Sequence, residues 1–112
     1  MTKLISFLSL SVLFASCANP NESTGGQVSN EEDMLVYGKK IYESQCLNCH
    51  GEKGEAKVAN TIDLSKCKLD ESSIGDLVYH GKGTMPAYKD KLGEPEINGV
   101  AKYVRSLGVK GL

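Results

Sequence analysis

Apolar residues along the chain fall into stretches with different periods. The first is an almost continuous run from Leu4 to Phe14, interrupted only by serines, directly behind Lys3. At about eleven residues it is too short to cross a bilayer, which takes about 20. A positive start followed by a short apolar run reads as an export signal, assigned to residues 1–16. Residues 17–30 break the pattern: within them N-P-N-E-S-T-G-G-Q-V-S-N (19–30) has no apolar periodicity, and the segment reads as a flexible tether. The rest, 31–112, carries helical spacing. Leu35, Gly38, Ile41 and Tyr42 predict a first helix beginning at Ser29 or Asn30, with Ser29 and Glu32 at capping-box spacing. Ile74, Leu77 and Val78 predict a second helix between an Asp70 cap and a Gly81 stop. Ile97, Val100, Ala101, Val104 and Leu107 predict a third over Pro95–Leu107, with Gly108 as its end. Between the first two helices lies a loop anchored by Ile62 and Leu64. No segment alternates like a strand, so the fold class is all-α with three main helices.

A glycine inside a helix costs about 1 kcal/mol against alanine. Gly38 is therefore read as a point where another backbone comes close.

Composition narrows the picture. The chain has 112 residues, 24% charged and 40% hydrophobic, with a net charge of −1. That is one ordinary globular domain with no electrostatic reason to bind nucleic acid. A domain of this size is near the ~70–80-residue limit below which a side-chain core needs a staple. Trp is absent and Phe numbers two, with both Phe in the leader.

The chemistry concentrates in C-L-N-C-H, from Cys46 to His50. On a helix, residues three and four apart share a face, so Cys46 lies beside both Cys49 and His50. C-x-x-C-H is the attachment pattern of c-type haem, in which two thiols form thioethers and the imidazole binds iron. A thioredoxin-like C-x-x-C would need a βαβ context that the pattern lacks. A zinc site built from Cys46, Cys49, Cys67 and either His50 or His80 is the other reading, although Cys67 has no nearby partner. Further on, G-K-G-T-M-P-A-Y (81–88) sets Met85 in a turn-rich loop, where a filler methionine is less expected and a ligand role is open.

Taken in order, the Gly38–Tyr42 helix, C-L-N-C-H-G, the Ile62–Leu64 segment, G-K-G-T-M-P, Leu92 and the terminal G-V-A-K-Y-V-R-S-L resemble a class I cytochrome c of the small bacterial type. The resemblance implies the cytochrome c fold, three main helices around one haem c held covalently by Cys46 and Cys49. It implies His50 and Met85 as the iron ligands, with His80 as the rival to Met85. It also implies an orthogonal contact of the first and last helices, Gly38 meeting the Tyr103 region. The function implied is single-electron transfer between redox partner proteins, with no catalysis by the chain itself. A haem-based sensor with a labile Met85 is the alternative. Lys82, Lys89 and Lys91 flank the Met85 loop and are candidates for steering an acidic partner. The family pattern assigns no role to Cys67.

L-F-A-S-C (13–17) resembles a bacterial lipoprotein box, with Cys17 as the lipidated residue. Phe14 stands where Leu is usual, and ordinary cleavage after Ala18 is the rival. The expectation is an exported bacterial lipoprotein, anchored to a membrane through Cys17, facing the periplasm or the cell surface, and monomeric.

Overall fold

The first helix begins where the Asn/Ser/Gly-rich tether gives way to an acidic cluster. The structure, a computed structural model, describes residues 30–109. The predicted export signal, Cys17 and the tether up to Ser29 lie outside the described residues. Asn30 is extended (φ −136°, ψ 163°), and its side chain accepts a hydrogen bond from the Asp33 N–H at 2.7 Å, capping α1 (Glu31–Gln45). The cap is therefore made by Asn30, one of the two expected starts. Glu31, Glu32 and Asp33 face the positive end of the helix dipole.

A short helix, α2 (Leu47–His50), follows, then a 3-10 turn at Leu64–Lys66. The third helix, α3 (Glu71–His80), has the expected limits. Asp70 accepts from the Ser73 N–H at 2.7 Å, and Gly81 ends the helix with φ 71°. The last, α4 (Glu94–Val109), is longer than expected at both ends. Pro95 takes the second position, while Glu96 reaches back to accept from the Gly93 N–H at 2.7 Å, one half of a capping box.

Gly108 does not stop α4. It lies buried within the helix, and a Cβ there would fall 2.3 Å from the Cys67 carbonyl oxygen. The missing side chain lets the segment after the 3-10 turn rest on the helix. Ile62 is likewise not a core anchor: it is 59% exposed, whereas Leu64 is buried.

Helix α4 packs against both α1 and α3. At the first contact, a Cβ on Gly38 would meet the Gly99 carbonyl oxygen at 1.9 Å and Tyr103 Cβ at 3.1 Å. The backbones touch there, as expected, and Gly99 is the unexpected half of the pair. The Tyr42 and Tyr103 rings pack 5.1 Å apart beside it. Tyr42, Ile74, Val78, Ile97, Val100, Ala101 and Val104 join the same core. Each fully buried aliphatic or aromatic side chain contributes about 1.5–3 kcal/mol. Among the described residues there is no strand; one isolated bridge joins Lys82 to Met85. No helix among them is long and apolar enough to cross a membrane.

Candidate cofactor site

The C-L-N-C-H segment is held in place by its backbone. Cys46 turns the chain out of α1 by donating its N–H to the Tyr42 carbonyl, and the Cys49 and His50 N–H groups return to the Cys46 carbonyl. The next loop closes over it. Ala56 N–H donates to the His50 carbonyl and Lys57 N–H to the Cys49 carbonyl, each at 2.9 Å. Gly51 and Gly54 carry φ near +80°, and Leu64 N–H reaches the Gly54 carbonyl at 2.7 Å, which brings the loop back to the core. The Tyr42 hydroxyl donates to the Gly51 carbonyl at 2.6 Å, just past His50.

Met85 arrives from the other end of α3. A helix leaves its last carbonyls without internal partners. Here the Leu77, Val78 and Tyr79 carbonyls accept from the N–H groups of Gly81, Tyr88 and Lys89. The loop between is thus tied to α3 at both stems. Inside it, Lys82 and Met85 exchange two backbone hydrogen bonds, of 3.1 and 3.0 Å, with Gly81 and Gly83 supplying positive φ. A Cβ on Gly81 would fall 2.6 Å from the Met85 carbonyl oxygen and 2.7 Å from the Ala87 nitrogen, so only glycine fits.

These two segments line one cavity of about 700 Å³. Cys46, Cys49 and His50 border it together with Met85 and Pro86, and Leu64, Leu69, Ile74, Leu77, Val78, Tyr88 and Val104 supply apolar wall. Among the described residues, Lys82 is the one lysine that lines it, and no carboxylate does. Val58, Ile62 and Leu69 border it too, 50%, 59% and 41% exposed.

Burial, with Cys49 close by, pushes the Cys46 thiol up to about 11, so it is protonated and neutral at ordinary pH. Burial also lowers the pKa of His50, against an opposing effect of the Ile62 backbone; its buried Nδ1 has no hydrogen-bond partner among the described residues. A neutral imidazole is the form that binds metal. Desolvation raises the pKa of both Tyr42 and Tyr88, which keeps their hydroxyls as donors. An apolar cavity, a neutral thiol at its edge and a buried imidazole nitrogen without a partner fit one large, mostly apolar iron cofactor.

Among the described residues no three His, Cys, Asp or Glu side chains converge as the zinc reading requires. His80 is exposed, lies edge-on to Tyr79 with ring centroids 4.8 Å apart, and does not border the cavity. Cys67, which the sequence left without a role, is half-buried in the cavity wall. Of the three lysines, Lys82 alone borders the cavity. Lys89 lines a separate groove between α3 and α4, and Lys91 sits over the Tyr88 ring at 5.6 Å. Tyr42 was legible only as an apolar position and Tyr88 only as the end of a loop; their hydroxyl contacts had no sequence signal.

Residues 34–104 match the family described as cytochrome c oxidase, cbb3-type, subunit III. The chain is 33% identical to cytochrome c6 of Gloeothece citriformis, over 99% of both chains. It is similar in structure to cytochrome c6 of the diatom Phaeodactylum tricornutum, with TM-score 0.62 and 31% identity over 70% of this chain and 98% of that one. It is similar as well to cytochrome c6C of Synechococcus sp. PCC 7002, with TM-score 0.60 and 34% identity over 66% and 96%.

Proposed function

The chain belongs to the class I single-haem c-type cytochromes, and we propose, from that premise, which of its residues carry the cofactor and the electron traffic. Its membership makes it an electron carrier with one covalent haem c, passing electrons between redox partners rather than catalysing a reaction. Cys46 and Cys49 would hold the haem through thioether bonds, and His50 and Met85 would hold its iron. The cofactor supplies an iron centre that changes charge by one electron, and the protein fixes its surroundings. A thioether and an imidazole together would favour the reduced iron and raise the potential relative to two strong donors. With His50 and Met85 both holding the iron, it would have no free position for substrate.

The observation that carries this reading is the cavity bordered by both the C-L-N-C-H segment and the tied Met85 loop. A redox partner docks at the exposed part of its border, on Val58, Ile62 and Leu69, with Lys82 also on the border, through a small interface of under about 1,200 Å². The 1–16 export signal, the 17–30 tether and the 31–112 domain fit an exported lipoprotein anchored at Cys17, a single copy facing the periplasm or cell surface. What supports this is the L-F-A-S-C segment and the polar stretch behind it.

The test is the weak long-wavelength band of ferric iron bound to a thioether. The unsubstituted protein should show it. Met85→Ala should abolish it, lower the reduction potential and let external ligands bind. A band that is absent from the unsubstituted protein, or that survives Met85→Ala, makes the Met85 assignment wrong and returns His80 as the candidate.

A further inference from the structure

Two tyrosine hydroxyls bracket the cofactor-bearing segment. Tyr42 donates to the Gly51 carbonyl, immediately after His50, at 2.6 Å. Tyr88 donates to the Gln45 carbonyl, immediately before Cys46, at 3.1 Å. Their origins differ. Tyr42 belongs to α1, the same helix that leads into the motif, so its bond is local. Tyr88 comes from 43 residues away and stands at the stem of the Met85 loop. Its bond joins the chain on the methionine side of the cavity to the chain on the thiol side.

The loop makes that bond sensitive to Met85. Tyr88 N–H is fixed to the Val78 carbonyl at 3.0 Å, and the Tyr88 ring is 9% exposed in the cavity wall. Only Pro86 and Ala87 separate it from Met85, and proline stiffens that short link by fixing φ. The other stem, at Gly81, is pinned to Leu77 and leaves no room for a side chain. Moving the Met85 backbone away from the cavity therefore requires the 82–87 segment to turn between two tied stems, which loads the Tyr88 stem.

We infer that Tyr88 is a positioning residue for Met85, its hydroxyl clasping the methionine loop to the thiol-bearing segment. The inference rests on the reading of Met85 as an iron ligand. The Tyr42 bond is the shorter and holds the histidine side; the Tyr88 bond is the longer and is the one that yields when the loop opens.

Imidazole added to the ferric holoprotein tests this, because it binds only after Met85 has left. Tyr88→Phe keeps the ring and removes the hydroxyl. It should leave the thioether band present at rest and speed imidazole binding several-fold, up to about tenfold, the size expected for one hydrogen bond lost from the closed form. Tyr42→Phe should lower the denaturation midpoint without speeding imidazole binding. Pro86→Ala, which softens the link but keeps both hydroxyls, should also speed binding, and it carries the test if Tyr88→Phe yields no holoprotein. Unchanged imidazole kinetics in Tyr88→Phe, or in Pro86→Ala where that variant carries the test, overturn the inference, as does an equal acceleration in Tyr42→Phe. Absence of the band from the unsubstituted protein overturns the Met85 assignment and the inference with it.

Discussion

Replacing Gly38 with alanine tests the contact on which the helical frame rests. A methyl group there would sit 1.9 Å from the Gly99 carbonyl oxygen and 2.4 Å from its carbon, where ordinary contact begins near 3.4 Å. Both atoms are backbone, so no rotamer change relieves the clash. Helices α1 and α4 must part by more than an ångström, loosening the packing of Tyr42, Val100 and Ala101 at the centre of the core. Overpacking of this kind costs about 3 kcal/mol or somewhat more. Alanine returns about 1 kcal/mol through its better helix propensity. The net loss is on the order of 2 kcal/mol. Gly99→Ala is the matched control: its Cβ would meet a Tyr37 ring carbon at 3.1 Å, and Tyr37 is half-buried and able to shift. Its penalty and the propensity gain should cancel to within about 1 kcal/mol. Urea denaturation of the two holoproteins measures both. With a slope of roughly 2 kcal/mol per molar, Gly38→Ala should lower the midpoint by about 1 M with the slope unchanged. A Gly38→Ala protein as stable as its parent, or a Gly99→Ala protein equally damaged, would refute the backbone-contact argument.

Two further expectations concern other parts of the chain. Ala56 holds φ 55°, a left-handed conformation that costs a non-glycine residue about 1–2 kcal/mol, while its N–H bonds the His50 carbonyl. Ala56→Gly should therefore stabilise the holoprotein by up to about 1 kcal/mol after the extra freedom of unfolded glycine is counted, and a lower melting temperature would contradict this. Cys17→Ser should move the protein from the membrane fraction to the soluble one with its visible spectrum intact. Soluble parent protein whose mature N-terminus is Asn19 would exclude lipidation.

Features that depend on local spacing were legible in the sequence. Asp70 and Gly81 bound α3 because a capping carboxylate and a positive-φ glycine act within one turn. Gly38 announced a close approach because a buried helix glycine has few other uses. Features that depend on distant chain were misread or missed. Gly108 looks like a helix stop from its neighbours alone, and only the Cys67 carbonyl packed on it explains why the helix runs past it. Ile62 and Leu64 look equivalent by periodicity, yet one lies at the cavity mouth and the other inside. The lysines near Met85 are close in sequence and point to three different surroundings. For the site itself, five consecutive residues and one loop marked the two segments that border the cavity. The hydroxyls that fix them were invisible, since a tyrosine's partner carbonyl carries no sequence signal.

The division of labour around the cavity follows from these contacts. On the histidine side, Cys49, His50 and Gly51 each have a carbonyl held from another part of the chain, by Lys57, Ala56 and Tyr42. Nothing there can shift without breaking several hydrogen bonds at once. On the methionine side the loop is closed upon itself and tied to α3 at its stems, with one long hydroxyl bond reaching the opposite segment. If Cys46, Cys49 and His50 hold the haem as proposed, the first arrangement suits them, because two thiols and an imidazole would meet one flat molecule together. Met85, the proposed second iron ligand, would offer a neutral thioether, a weak donor whose hold on iron would depend on how firmly the protein presents it. Under that proposal the potential and the exclusion of other ligands would be set less by Met85 itself than by Gly81, Pro86 and Tyr88, which shape and tie the loop that carries it.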